Sequence, residues 1–278
     1  MKKLSLAVAV AATLGAGVAN AYTVAEPADG VLVPNVIHNG AADTTAVALI
    51  NHTAANVIVY WTFFDQDSTH ITDGQFTMTE NDMRSFVWSQ ESGLGLEGER
   101  GYLVFHVGDA AAALAGGGAV ISGAAFQADA VNGDAVFVPT FGIADADLPG
   151  VADLTNLDAN SLATLASGAT GGDTVDMRYA IDGDFDSRIV LWSTGGLANT
   201  FTVNMYNDNQ DRKSVNFVCG NTELCFVDPS TIVGRPADFT NGYIRFATPI
   251  ATVGDFVSYT AVRSASYGAT QTILNTHY

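Results

Sequence analysis

Apolar and polar residues alternate over short stretches of the chain, and turns rich in glycine, asparagine and aspartate separate these stretches. Residues 57–64 are β-branched or aromatic at almost every position, which is typical of a strand buried on both faces. In residues 75–79, Phe76 and Met78 occupy alternate positions and therefore share one face. Short strands at regular intervals, with few helical periods, predict an all-β protein.

The strand pattern occurs twice along the chain. Residues 65–67 (Asp-Gln-Asp) align with residues 207–209 (Asn-Asp-Asn) at an offset of 142 (207 − 65). Residues 101–105 align with residues 242–246 at an offset of 141 (242 − 101). Because such matches keep their order while the offset changes slowly, we interpret the chain as two copies of one β-unit.

The repeat divides the chain into two predicted β-sandwich units, residues 22–141 and residues 175–278. Between them, residues 142–174 are rich in alanine, aspartate, glycine and leucine, which predicts a short, partly helical connector. Each unit contains about seven short strands, with turn signals at regular intervals, as in two-layer sandwiches.

The order of strand, Asx turn, strand, polar turn and aromatic-bearing strand resembles the immunoglobulin-like modules of exported bacterial proteins. The resemblance covers both units and implies tandem antiparallel sandwiches, although a fold of this kind carries no function by itself. The cysteine, tryptophan and cysteine core of true immunoglobulin domains is absent, since the two cysteines of this chain lie close together in the sequence.

The first 21 residues predict a secretory signal peptide. Lys2 and Lys3 precede an apolar run, and Ala19, Asn20 and Ala21 form a small-residue cleavage site. The run is shorter than the roughly 20 apolar residues of a membrane-spanning helix, and the mature chain has no transmembrane segment by the same criterion. We therefore expect an exported protein in the periplasm, on the cell surface or in the extracellular space.

Charge narrows the range of partners. The formal net charge is −18 at pH 7, from 29 acidic and 11 basic residues. Such a chain repels nucleic acid and anionic lipid, so neither is expected to bind.

Cys219 and Cys225 are the two cysteines of the chain, and an exported protein can join them in a disulfide. We expect this bond to fasten a short hairpin whose tip lies near Asn221. The CxxC spacing of redox-active pairs is absent, which favours a structural bond.

Asp182, Asp184 and Asp186 form the candidate metal site. Alternating carboxylates can converge on Ca²⁺, which is the cofactor that this segment would take. The glycine and glutamate of an EF-hand loop are missing, and the aligned residues 39–43 form an ordinary turn. A solvated turn is therefore the favoured interpretation, with the calcium site as the alternative.

Trp88 is the candidate ligand platform, because it lies beside the glycine-rich residues 92–101 and is expected to be exposed. Zinc-protease, nucleophile-elbow and phosphate-loop motifs are absent from the sequence. We therefore expect no catalytic residues and no organic cofactor.

The favoured function is a non-enzymatic, exported structural or adhesive protein that associates with itself or with a surface polysaccharide or protein. An extended leader, residues 22–33, could pair with the sheet edge of a neighbouring copy and make the protein an assembly subunit. The alternatives are an extracellular carbohydrate- or ligand-binding module assisted by calcium, an outer-membrane β-barrel, and a hydrolase with a cryptic carboxylate site.

Overall fold

A computed structural model of the chain describes residues 24–93, 95–107, 120–130, 133–143, 174–247 and 256–277. The prediction of an all-β protein is confirmed, since strands dominate these ranges. The strands of the first half are β1 Gly30–Ile37, β2 Asp43–Asn51, β3 Val57–Asp65, β4 His70–Met78, β5 Met83–Val87, β6 Arg100–His106, β7 Ile121–Asp129, β8 Asp134–Val138 and β9 Phe141–Ile143. A four-residue helix, α1 Trp88–Glu91, follows β5.

The strands of the second half are β10 Thr174–Ala180, β11 Phe185–Ser193, β12 Asn199–Asn207, β13 Arg212–Cys219, β14 Leu224–Val227, β15 Asn241–Ala247, β16 Phe256–Ser264, β17 Ala269–Leu274 and β18 Thr276–His277. A 3₁₀ helix, Pro229–Thr231, follows β14. The predicted signal peptide and residues 144–173 of the predicted connector lie outside the described residues. None of the helices in the described ranges is long and apolar enough to cross a bilayer.

The strands form four antiparallel sheets. Sheet 1 has the order β4-β3-β6-β1-β9, and sheet 2 has the order β5-β2-β7-β8. Sheet 3 has the order β13-β12-β15-β10-β18, and sheet 4 has the order β14-β11-β16-β17. When nine is subtracted from each strand number, the order of sheet 3 becomes that of sheet 1, and the order of sheet 4 becomes that of sheet 2. The two halves therefore have the same strand order.

The turns after β3 and β12 have the same hydrogen bonds. The Asp65 N–H donates to the Thr69 carbonyl (3.0 Å), and the Asp65 carboxylate accepts from the Thr69 N–H (2.8 Å). The Asn207 N–H donates to the Asp211 carbonyl (3.1 Å), and the Asn207 side-chain oxygen accepts from the Asp211 N–H (2.8 Å). Both are turns in which an Asp or Asn side chain bonds to nearby backbone, as the sequence predicted.

Gly101 and Gly242 lie at corresponding points of β6 and β15. A Cβ atom on Gly101 would lie 1.9 Å from the carbonyl oxygen of Phe64. A Cβ atom on Gly242 would lie 1.9 Å from the carbonyl oxygen of Tyr206. Only glycine permits these close approaches between neighbouring strands.

Strand β11 of sheet 4 is buried on both faces from Ile189 to Ser193, and this arrangement joins the two halves. Successive side chains of a strand point to opposite faces. In β11, Ile189 and Leu191 belong to the core shared with sheet 3, whereas Val190 and Trp192 belong to the core of the first half. Sheet 4 therefore packs on sheet 3 through one face and on the first half through the other, and its edge strand β17 also contacts β8 of sheet 2 through hydrogen bonds from Thr270 and Thr272.

The segment before β1 is part of the chain's own sheets. The Ala25 N–H donates to the Thr140 carbonyl (3.0 Å), and the Ala28 N–H donates to the Ile121 carbonyl (2.8 Å). β1 itself is buried along its whole length and lies between β6 and β9. The prediction of a leader that can pair with another copy is therefore wrong for residues 24–33, because apolar β1 residues are needed in the interior of sheet 1.

Candidate functional site

A pocket of about 220 Å³ lies where the two halves meet. Strands β1, β6, β7 and β8 line it from the first half, and β11, β14, β16 and β17 line it from the second. The lining contains three arginines and three aspartates, so its formal charge is zero. The pocket is therefore much less acidic than the chain as a whole, whose net charge is −18. The charged lining residues are Arg100, Arg188, Arg263, Asp129, Asp134 and Asp186.

Arg100 lines the pocket without a carboxylate oxygen of the described residues within 4.0 Å of its guanidinium. Its Nη1 donates to Asn35 Oδ1 at 2.8 Å, and its guanidinium lies 4.0 Å from the centre of the Phe226 ring. Of the ion pairs with an N···O distance within 4.0 Å in the described ranges, none involves Arg100. Desolvation lowers the pKa of the Arg100 guanidinium, although Tyr259 and Asp43 act in the opposite direction.

Asn35 fixes the orientation of Arg100. The register of β1 against β6 shifts between Val33 and Val36, so Asn35 lies in a bulge. While its side-chain oxygen accepts from Arg100, its Nδ2 donates to the Tyr259 hydroxyl at 3.0 Å. Burial raises the pKa of the Tyr259 hydroxyl above its ordinary range, so this hydroxyl stays neutral.

Arg188 differs from Arg100 because its charge is compensated. It pairs with Asp186, and its Nη1 lies 3.2 Å from Asp228 Oδ2. On the opposite side of the pocket, the Asp134 carboxylate accepts a hydrogen bond from the Thr270 hydroxyl. The pocket therefore offers the Arg100 guanidinium for an anion, together with amide, hydroxyl and carboxylate groups that can bind ligand hydroxyls.

Two of the three aspartates of the candidate calcium site, Asp184 and Asp186, bind other groups. Asp184 accepts hydrogen bonds from the Ser264 hydroxyl and the Ser266 N–H, both at 2.7 Å, and these bonds lower the pKa of its carboxyl. Asp186 pairs with Arg188. Within the described ranges, no group of three His, Cys, Asp or Glu side chains is arranged to hold a metal ion. The calcium site stays a prediction, and two of its three carboxylates already have partners.

Trp88 is not an exposed platform, so that prediction is wrong. The side chain is fully buried at the start of α1. Its ring centre lies 4.6 Å from that of Phe63 and 5.9 Å from that of Trp61. The large apolar area of the indole is better buried in the core between sheets 1 and 2 than left beside a glycine-rich loop.

Cys219 and Cys225 form the predicted disulfide, with an S–S distance of 2.08 Å. The hairpin that was expected around it is wrong, because β13 belongs to sheet 3 and β14 to sheet 4. The disulfide therefore joins the two sheets of the second half. The loop between the cysteines contacts the first half, where Asp67 accepts from the Thr222 N–H at 2.9 Å.

A second candidate site is the outer face of sheet 2, which is turned away from the core. Val47, Leu49 and Ala125 point into the core, and the alternate positions form this outer face. Within the described residues these positions carry no charge. Its exposed large apolar members are Met83 (64%), Phe126 (45%) and Ile50 (39%). The outer face consists of Thr44, Ala46, Ala48, Ile50, Met83, Ser85, Val87, Ser122, Ala124, Phe126, Ala128, Ala135 and Phe137.

The outer face of sheet 3 is turned away from the core that sheet 3 shares with sheet 4, and it is charged and aromatic. Its residues alternate with the buried Met177, Met205 and Ile244. Three arginines and one aspartate give it a formal charge of +2 (3 − 1). The rings of Tyr206 and Tyr243 stack at 4.7 Å in its middle. The outer face of sheet 3 includes Asp176, Arg178, Thr202, Asn204, Tyr206, Arg212, Ser214, Asn216, Tyr243 and Arg245.

The residues of these sites are far apart in the sequence, and sequence reasoning missed them. Asn35 and Arg100 are separated by 65 positions, and Asn35 and Tyr259 by 224. The one local signal was Pro34, which cannot donate to a strand ladder and therefore marks the irregularity in β1.

Comparison with known proteins gives no match, since no family model, curated protein or solved structure is significantly similar to the chain.

Proposed function

We propose that the protein is an exported, non-enzymatic structural component that associates with copies of itself through the outer face of sheet 2. The observation that carries the proposal is that a whole sheet face is uncharged and partly exposed on a chain of net charge −18. Copies of such a chain repel one another wherever acidic surfaces approach. The outer face of sheet 2 is a surface at which two copies can meet without opposing like charges.

The shape and composition of this face also support association. Ala46, Ala48, Ala124 and Ala128 leave the centre flat, and sheets with small side chains can pack face to face at about 10 Å. Contiguous exposed apolar surface on a folded protein commonly marks an interaction site.

The expected association is weak. A face of four strands and about five residues covers on the order of 300 Å². A standard interface buries about 800 Å² on each partner. The contact therefore needs high local concentration or repetition along an assembly.

We further infer that the two halves are copies of one immunoglobulin-like unit. The identical strand orders and the equivalent Gly101 and Gly242 support this inference. So does the backbone of the two Asx turns, where Ser68 and Gln210 both have a positive φ, 62° and 68°.

Sedimentation velocity of the purified protein over a wide concentration range tests the association. We expect the sedimentation coefficient to rise with concentration, and we expect Ile50→Glu to remain monomeric because it places a charge in the contact. Tyr267→Glu is the matched control, since Tyr267 is 82% exposed in the turn between β16 and β17. Wild-type protein that stays monomeric up to millimolar concentration contradicts the proposal.

The pocket supports a second function, the binding of a small carboxylate-bearing sugar. Its volume of about 220 Å³ suits a ligand of about one sugar ring, below the roughly 300–1,000 Å³ of sites for drug-sized ligands. Arg100 would bind the ligand carboxylate, because guanidinium and carboxylate groups form strong paired hydrogen bonds. Asn35, Gln127 and Asp134 would bind the hydroxyl groups.

Calorimetric titration with glucuronate, galacturonate, glucose and alanine tests this second function. We expect heat from a uronate and none after Arg100→Gln, whereas Arg212→Gln, on the exposed face of sheet 3, should leave binding unchanged. Equal binding of glucose and the uronates would exclude the role of Arg100. An absence of heat with all four compounds would exclude the sugar site.

A further inference from the structure

The face of sheet 4 that packs on the first half corresponds to the outer face of sheet 2, which is partly exposed. Because β2 and β11 hold equivalent places in sheets 2 and 4, Ala48 corresponds to Val190 and Ile50 to Trp192, both at an offset of 142 (190 − 48 and 192 − 50). Val190 and Trp192 are the residues of β11 that belong to the core of the first half. The same face is therefore buried in sheet 4 and exposed in sheet 2.

The surface of sheet 1 that contacts sheet 4 also has an equivalent, which is the outer face of sheet 3. Trp192 packs against Tyr102 on sheet 1, with ring centres 5.5 Å apart. Tyr102 corresponds to Tyr243 at an offset of 141 (243 − 102), and Tyr243 lies on the outer face of sheet 3. The ring stacked on Tyr102 is Phe64, and the ring stacked on Tyr243 is Tyr206. The outer face of sheet 3 thus has the position and aromatic pair of the surface that receives sheet 4.

We propose that the protein assembles head to tail, with the outer face of sheet 3 of one copy packed on the outer face of sheet 2 of the next. This inference rests on the proposed self-association, and it identifies the outer face of sheet 3 as the surface that the outer face of sheet 2 contacts. The contact between copies repeats the contact that already joins sheets 1 and 4 within the chain. Because the two surfaces differ, each added copy leaves one new open face, and the assembly grows as an open chain.

Charge favours this pairing over contact between two identical faces. The outer face of sheet 3 has a formal charge of +2, whereas the whole chain has −18. The approaching copy is therefore attracted to this face and repelled by other surfaces. Contact between two sheet 2 faces gains no such attraction, since neither carries charge.

The composition of the outer face of sheet 3 also supports a role in binding another copy. The outer face of sheet 3 presents tyrosine, arginine and asparagine, and tyrosine and arginine are enriched among the residues that dominate interface energies. Arg245 lies 5.5 Å from the Tyr243 ring centre and forms hydrogen bonds to Asp176 of 2.9 and 2.8 Å. These contacts hold the side chains in place before a partner arrives, which reduces the entropy lost on binding.

Two complementary variants test the head-to-tail arrangement. Ile50→Glu blocks the face of sheet 2, and Tyr243→Glu blocks the face of sheet 3. Each variant alone should be monomeric in sedimentation velocity, whereas an equimolar mixture should form a 1:1 heterodimer that grows no further. Asn204→Glu, on the same face of sheet 3, replaces Tyr243→Glu if circular dichroism shows that the tyrosine variant is unfolded.

The outcomes separate this inference from the proposed function. A Tyr243→Glu protein that still dimerises by itself means that two sheet 2 faces pair, which overturns the head-to-tail arrangement and keeps self-association. A mixture of the two variants that stays monomeric, although wild type associates, also overturns it. Wild-type protein that does not associate overturns the proposed function.

Discussion

The Trp192 ring packs edge-on against the Tyr102 ring, with centroids 5.5 Å apart and planes at 73°. Trp192 belongs to the second half and Tyr102 to the first, and both are fully buried. The two halves therefore share apolar contacts that neither could complete alone. A chain joined in this way is expected to unfold as one cooperative body.

Substitution of Trp192 by alanine tests this coupling. We expect Trp192→Ala to lower the free energy of unfolding by about 3–5 kcal/mol, because it removes a buried aromatic ring and leaves a cavity. Tyr102→Phe is the control that keeps the ring, and it should cost about 1 kcal/mol for the lost hydroxyl. Urea unfolding gives both values. Two separate transitions in the wild-type protein would contradict the coupling.

The close approaches at Gly101 and Gly242 make these positions intolerant of any side chain. We expect Gly101→Ala and Gly242→Ala each to destabilise the protein by about 3 kcal/mol, because a Cβ would meet a backbone oxygen 1.9 Å away and the strands would have to separate. Gly183→Ala is the matched control, since no atom lies within 4 Å of its added Cβ. Thermal unfolding of the three variants checks the prediction, and similar melting temperatures would refute it.

His106 should make stability depend on pH. Burial lowers its pKa from 6.5 to about 4, so the folded protein resists protonation that the unfolded chain accepts. Stability is unaffected above pH 6.5 and falls as the pH drops below it, by about 2 kcal/mol at pH 5. Between pH 7 and pH 5, the His106→Gln variant should therefore lose about 2 kcal/mol less unfolding free energy than the wild-type protein. Equal losses in urea unfolding of the two proteins would contradict this assignment.

The disulfide between Cys219 and Cys225 should stabilise the second half to a modest extent. The closed loop is short, with a sequence separation of 6, so the expected contribution is about 2 kcal/mol. The double variant Cys219→Ser, Cys225→Ser should lose this amount of unfolding free energy. Reductant should lower the wild-type value to the same level and leave the variant unchanged. A reductant that destabilises both proteins equally would argue against the prediction.

Trp88 and Arg100 show where sequence reasoning fails for the candidate sites. The neighbourhood of Trp88 in the sequence is a glycine-rich loop, yet its ring packs on Phe63 and Trp61 from another strand. Arg100 precedes an ordinary strand pattern, and only the bulge at Asn35 brings a hydrogen-bond acceptor to it. In both cases the environment comes from residues far away in the chain, which local periodicity does not report.

Local sequence patterns were sufficient to predict the strands, the Asx turns at Asp65 and Asn207, and the cysteine pair. These features depend on side-chain alternation and on hydrogen bonds between neighbours along the chain, so they can be read locally. The packing of the sheets, in contrast, buries both faces of β11 from Ile189 to Ser193, while the equivalent outer face of β2 stays partly exposed. That difference depends on which sheet packs against which, and two strands with the same alternating pattern can meet either protein or solvent.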